Sequence, residues 1–222
     1  MEKRFFKILN WLREKFPDPV RDCHLYNEQG CSHVDGLLCD FPECSMEHQY
    51  ILSKPDVNVK SQCDFDLECE TMGIDDSNVE DVKDTAFISI IGTPEILETY
   101  LKEPHTEHWF KEEHPNVLNL EFDDVSKDRT FEYENGYGEK ITLHAFAMSK
   151  EQAKKCVDFI ENNLGKNFKI HCRCGVSRSC AVGSFITQFF PQYDHLELMG
   201  TPNVDVLAKL KREFYKRNNM FV

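Results

Sequence analysis

Residues 169–186, KIHCRCGVSRSCAVGSFI, place a thiol, a glycine-containing turn and an arginine within one short segment. The apolar run before the turn predicts a buried strand, and the run after it predicts a helix that starts near Arg178. A turn between a strand and a helix directs several backbone N–H groups at one point, where the positive end of the helix dipole also lies. We therefore expect this segment to bind an anion of the size of phosphate.

Cys172 is the candidate nucleophile of this segment. At the end of the predicted strand its thiol lies in the field of the helix N-terminus, which favours the thiolate and lowers the thiol pKa. Arg178 carries a planar fork that matches two oxygens of a phosphoryl group, and its charge is permanent. The pair predicts nucleophilic chemistry on a phosphate ester, whereas the alternative, a purely structural turn, has no use for a paired cysteine and arginine.

The pattern HCxxGxSRS at residues 171–179 resembles the signature loop of the cysteine-dependent protein tyrosine and dual-specificity phosphatases. The resemblance extends over residues 85–216, with weaker matches in the stretches FISIIGTPE and LNLEFDDV. It implies a phosphoric monoester hydrolase that acts through a phosphocysteine, needs no cofactor for catalysis and takes phosphorylated proteins as substrates.

The resemblance also implies a role for each residue of the motif. Cys172 would attack phosphorus, and Arg178 would hold the phosphate together with the backbone N–H groups of the loop. Ser179 would hydrogen-bond the leaving thiolate, while His171 would orient the loop and help to keep Cys172 ionised. The residues expected to surround the phosphate are Arg173, Cys174, Gly175, Val176, Ser177 and Arg178.

A general acid is expected in the stretch EFDDVS after the second predicted strand, because the leaving oxygen needs a proton. Asp124, directly before Val125, is the preferred candidate. Asp123 is the alternative, since a shift of one residue turns a side chain to the other face of a strand. The following stretch, residues 126–140, is an apparent insertion relative to the compact dual-specificity pattern, and a proposed role for it is to line the pocket.

Two further cysteines, Cys174 and Cys180, lie within and directly after the motif. Both are expected to be small buried residues that only pack. An alternative for Cys174 is a resolving thiol, which would form a reversible disulfide with Cys172 under oxidation.

A separate cysteine cluster lies near the N-terminus, where Cys23, Cys31, Cys39 and Cys44 are separated by seven, seven and four residues. Thiolates at this density are typical of a tetrahedral structural zinc site. His48 replaces Cys23 in the alternative ligand set, whose spacing resembles the zinc fingers with three cysteines and one histidine found in RNA-binding proteins. We therefore expect a structural zinc ion in this segment.

The pattern along the chain divides it into three parts. Residues 1–60 are predicted to hold an amphipathic helix and the cysteine-rich zinc module. Residues 61–84 carry nine Asp or Glu against one Lys and are predicted to be a solvated acidic linker. Residues 85–222 alternate strand patterns, at 86–91, 116–122 and 167–171, with helix patterns. The other helix patterns begin at Thr93 and Pro94, at the capping box of Ser149 and Gln152, and at Thr201 and Pro202. We therefore expect an α/β domain with a largely parallel central sheet and helices on both faces, like that of dual-specificity phosphatases.

The net charge of −13 disfavours general binding to nucleic acids. A local basic pocket nevertheless leaves an RNA 5′-phosphatase as an alternative function, and a non-catalytic phosphate-binding scaffold is a third. Because no long apolar run and no cleavable leader pattern occur, we expect a soluble cytoplasmic protein with no membrane association.

Overall fold

The computed structural model describes residues 26–27, 30–31, 54–100, 107–193 and 200–218. Strands β1 (Tyr26–Asn27) and β2 (Gly30–Cys31) form an antiparallel pair within a first compact unit, Met1–Lys54. The predicted N-terminal helix and the predicted zinc ligands Cys23, Cys39, Cys44 and His48 lie outside the described residues, and of Cys31 only the backbone is described.

A parallel sheet forms the centre of the second unit, Pro55–Val222. Its strands are β3 (Val57–Ser61), β4 (Thr85–Ile91), β5 (Val117–Glu121) and β8 (Asn167–Cys172), and they lie in the order β3-β8-β4-β5. The helices are α1 (Gln62–Met72), α2 (Lys150–Asn162), α3 (Arg178–Phe189) and α4 (Val204–Arg217). A separate antiparallel hairpin joins β6 (Arg129–Glu134) to β7 (Lys140–Ala145). The predicted α/β class with a parallel sheet and flanking helices is confirmed.

Both faces of the sheet are covered, as parallel sheets require. On one face, the ring of Phe65 in α1 lies 6.1 Å from that of Phe87 and 4.2 Å from the imidazole of His171. On the other face, Phe168 of β8 contacts Tyr193, which follows α3, at 5.6 Å between ring centres. Strand β8, which ends at Cys172, is thus held between two apolar layers.

The predicted linker over residues 61–84 is wrong, because this stretch is folded and the unit begins at Pro55. Ser61 caps α1 by accepting a hydrogen bond from the Asp64 N–H at 3.2 Å, and Gly73 ends the helix at φ 64°. Phe65 and Cys69 are buried on one side of the helix. This apolar stripe is too short to be recognised in the sequence among the acidic residues around it.

Element boundaries elsewhere follow the sequence closely. The three predicted strands at 86–91, 116–122 and 167–171 correspond to β4, β5 and β8. The capping box of Ser149 and Gln152 is present at the start of α2. Helix α4 begins at Val204 instead of Thr201, because Asn203 caps its first turn. The segment after Pro94, predicted to be an α-helix, is a π-helical turn over Glu95–Tyr100.

In the part of the chain that the structure describes, no helix is both long enough and apolar enough to cross a bilayer.

Candidate active site

The loop of residues 173–177 connects β8 to α3 and lies against β3. Gly175 has a φ of 71°, and a Cβ at this position would lie 2.6 Å from the carbonyl carbon of Lys60. Any other residue would strain the backbone and collide with the neighbouring strand. The glycine of the motif is therefore required by the close approach of the loop to β3.

Carbonyl groups of this loop accept hydrogen bonds from the structure around it. The pairs are Arg173 O with Gln62 N (3.1 Å), Gly175 O with Cys180 Sγ (3.2 Å) and Ser177 O with Asn203 N (3.1 Å). In a trans peptide the carbonyl and the following N–H point in opposite directions. The N–H groups of Cys174, Val176 and Arg178 therefore point away from these supports, as an anion-binding nest requires.

Cys172 is 3% exposed, and its Sγ lies 3.0 Å from the Oγ of Ser179. Burial alone would raise the pKa of this thiol. The hydroxyl and N–H of Ser179, the charge of Arg178 and the N–H of Ser177 outweigh burial, so the pKa of Cys172 is lowered from its ordinary value. The site thus stabilises a thiolate at the end of β8.

Arg178 is 6% exposed, and its Nη1 donates a hydrogen bond to the carbonyl of Phe122 at 2.6 Å. Its Nε has no hydrogen-bond partner among the residues that the structure describes. A buried charged donor without an acceptor is costly, and a phosphoryl oxygen is an acceptor that suits it. The surroundings of Arg178 therefore fit a bound phosphate group.

Asp123 is buried and holds three parts of the fold together. Its carboxylate accepts hydrogen bonds from the N–H and hydroxyl of Thr93, at 2.9 and 2.8 Å, and from the N–H of Phe146 at 2.9 Å. These contacts tie the end of β5 to the ends of β4 and β7. This aspartate is engaged in a structural network.

Asp124 is exposed and lies beside the loop. Its Oδ1 accepts hydrogen bonds from the Ser177 hydroxyl at 2.9 Å and from the Asn203 Nδ2 at 2.7 Å. Within the described part of the chain its Oδ2 has no hydrogen-bond partner, so this oxygen is open to carry a proton. Of the two candidate acids, the geometry favours Asp124.

A cavity of about 560 Å³ brings these groups together. The predicted site residues that line it include Asp124, Cys172, Arg173, Cys174, Val176, Ser177 and Arg178. Gly175 of the loop, Ser179 at the start of α3 and His171 of β8 are not among its lining residues. Arg129 and Phe131 of the inserted stretch do line the cavity, so the proposed role of that stretch in lining the pocket is confirmed.

His171 is fully buried, with its ring tilted 34° against that of Phe65. Burial, with the nearby charges of His108 and Arg178, lowers the pKa of His171 to about 3. The imidazole is therefore neutral near pH 7 and supplies no positive charge to Cys172. Its ring packs against Phe65, and the groups that lower the pKa of Cys172 are Ser179, Arg178 and the N–H of Ser177.

The two remaining cysteines of the motif differ in exposure. Cys180 is fully buried, which confirms its predicted burial, and its thiol supports the loop by donating a hydrogen bond to the Gly175 carbonyl. Cys174 is exposed, and its predicted burial is wrong, because it lines two open cavities beside the loop. Both thiols are free, and a disulfide of Cys174 with Cys172 under oxidation stays a prediction.

Asn203 is a site residue that the sequence reasoning missed. Its N–H donates to Ser177, its Nδ2 donates to Asp124, and its Oδ1 caps α4. One side chain thus joins the loop, the candidate acid and a helix. The local signal was present, since Asn directly before a helical pattern is a preferred N-cap, but its partners are far away in the sequence.

Within the described ranges no group of three or more His, Cys, Asp or Glu side chains is placed to hold a metal ion. The zinc ligands predicted near the N-terminus fall outside those ranges, apart from the backbone of Cys31. The structural zinc site stays a prediction.

Comparison of the chain with family models, curated proteins and solved structures found no match.

Proposed function

We propose that this protein is a phosphoric monoester hydrolase of the protein tyrosine or dual-specificity phosphatase kind, with a phosphorylated protein as its substrate. The observation that carries the proposal is that Cys172, with its lowered thiol pKa, and the buried Arg178 flank one short loop and line the same cavity. The likeness of residues 171–179 to the signature loop of that family supports the same chemistry.

In the first step the thiolate of Cys172 attacks phosphorus and forms a P–S bond while the P–O ester bond breaks. Arg178 and the loop N–H groups bind the non-bridging oxygens and stabilise the charge of the transition state. Asp124, protonated on its free Oδ2, gives its proton to the leaving oxygen. The products are the free alcohol or phenol and a phosphocysteine.

In the second step water attacks the phosphocysteine. The carboxylate of Asp124 accepts a proton from the water, the P–S bond breaks and inorganic phosphate leaves. The electrons of the broken bond return to Cys172 as a thiolate, which the Ser179 hydroxyl at 3.0 Å stabilises by donating a hydrogen bond. The enzyme is then ready for another turnover.

The intermediate provides a direct test. The purified protein is expected to hydrolyse p-nitrophenyl phosphate, and acid quenching during turnover should trap one phosphoryl group on the peptide that contains Cys172, detected by mass spectrometry. If the protein is folded by circular dichroism but shows neither hydrolysis nor a phosphorylated Cys172 peptide, the proposal is rejected in favour of a phosphate-binding scaffold.

The assignment of Asp124 as the acid predicts an effect that depends on the leaving group. Asp124→Asn is expected to lower kcat about 100-fold for phenyl phosphate, whose leaving oxygen needs a proton, and far less for p-nitrophenyl phosphate. The loss should come with a changed pH profile of kcat.

Asp123→Asn is the matched control for this prediction. Because Asp123 accepts three buried hydrogen bonds, its replacement should lower the melting temperature and affect both substrates alike. If Asp123→Asn shows the dependence on leaving group and Asp124→Asn does not, the assignment of the acid is reversed.

A further inference from the structure

The hairpin β6–β7 contributes Arg129 and Phe131 to the wall of the cavity that holds Cys172. The two residues lie on one face of β6, opposite Ala145 and Leu143 of β7, which are both buried. The proposed chemistry assigns no role to this wall. We propose that Arg129 and Phe131 form a substrate subsite, which selects a phosphotyrosine that has an acidic residue next to it in the peptide. This proposal rests on the proposed function.

Hydrogen bonds attach the hairpin to the part of the fold that carries Cys172. The N–H of Asp123 donates to the carbonyl of Phe146 at 2.7 Å, and the carboxylate of Asp123 accepts the N–H of Phe146 in return. Further along β7, the Oε1 of Glu95 accepts the N–H of His144 at 2.8 Å. Arg129 is therefore presented at a defined place, which reduces the entropy cost of ordering it on binding.

The shape of the cavity favours an aromatic ester. Cys172 and Arg178 are buried, at 3% and 6% exposure. The side chain that bears the phosphate must therefore be long enough to bring the phosphate to them. The apolar side chains that line the same cavity are those of Ile96, Leu97, Val125, Phe131, Ala145 and Val176. The ring of phosphotyrosine would bury its area against these walls, whereas phosphoserine offers one methylene group to them.

Arg129 supplies a charge at the same cavity. Its side chain is exposed, and its guanidinium carbon lies 5.4 Å from the ring centre of Phe131. It forms no ion pair with a carboxylate of the described residues, although the chain carries a net charge of −13. Because the Arg129 fork lies over an aromatic ring and has no carboxylate partner among the described residues, it is suited to bind a substrate carboxylate through two hydrogen bonds.

A peptide is favoured over an RNA as the carrier of the phosphate. An RNA 5′-phosphate is attached to a ribose, which has no flat apolar ring to place against the cavity walls. The acidic chain would also repel the remaining phosphates of a polynucleotide, whereas a single acidic residue requires only Arg129. The subsite thus fits a phosphotyrosine peptide with aspartate or glutamate at a neighbouring position.

The experiment compares two phosphotyrosine peptides that differ only in acidic residues or alanines beside the phosphotyrosine, with p-nitrophenyl phosphate as a third substrate. We expect the wild-type kcat/KM to favour the acidic peptide about 10-fold and this preference to shrink at high salt. Arg129→Gln should remove the preference. Lys140→Gln, which neutralises an exposed charge at the other strand of the same hairpin, should keep it.

The outcomes separate the two proposals. If the wild type hydrolyses p-nitrophenyl phosphate but shows no preference, or if Arg129→Gln keeps the preference, the subsite is refuted and the proposed function stands. If no substrate is hydrolysed, both fall. Faster removal of phosphate from a 5′-triphosphorylated oligoribonucleotide than from either peptide, lost in Arg129→Gln, overturns the peptide assignment in favour of RNA.

Discussion

Replacement of Cys172 by serine is expected to lower kcat for p-nitrophenyl phosphate by about 10⁴-fold or more. The hydroxyl and N–H of Ser179, the charge of Arg178 and the N–H of Ser177 lower the pKa of a thiol at this position, and a serine hydroxyl is far too weak an acid to ionise in the same surroundings. Steady-state kinetics on the purified variant measures the loss. Its fold should be intact, since the side chain changes by one atom.

Cys63→Ser is the control for this variant, because it removes an exposed thiol in α1, away from the cavity. It should retain the wild-type rate. In the wild-type protein, iodoacetamide should modify Cys172 at a pH below the ordinary range for cysteine, and phosphate should protect it. Wild-type activity in Cys172→Ser would show that another residue is the nucleophile.

Arg178→Lys is expected to lower kcat about 10³-fold, although the charge is conserved. The guanidinium donates one N–H to the Phe122 carbonyl at 2.6 Å and keeps Nε without a partner in the described structure, so a single group can bind the protein and the phosphate together. A lysine ammonium has neither the fork nor the reach to do both. The effect should appear mainly in kcat, because the arginine binds the transition state more tightly than the substrate.

Arg212→Lys, at an exposed position of α4, serves as the matched control and should have no effect on the rate. Because Arg178 is buried, the melting temperature of Arg178→Lys must be measured as well. A folded Arg178→Lys variant with a rate close to that of the wild type would contradict the role given to this residue.

Much of the site was predictable because it depends on residues that are close in the sequence. A strand, a turn with Gly175 and a helix that starts at Arg178 lie within residues 167–189, and local patterns suffice to predict them. The capping box of α2 is equally local. The local pattern did not predict α1, because its two buried apolar side chains, Phe65 and Cys69, are too few to form a recognisable stripe among acidic neighbours.

The sequence by itself determined the order of strand, turn and helix in the loop, and the spacing of Cys172, Gly175 and Arg178 is the basis of the chemistry that we propose for it. Only the tertiary structure distinguished Asp124 from Asp123, which lie next to each other in the chain and differ in their partners. Those partners, such as Asn203 and Thr93, are 79 and 30 residues away. Hydrogen bonds over such separations form only when the sheet brings strand ends together, and no local pattern records them.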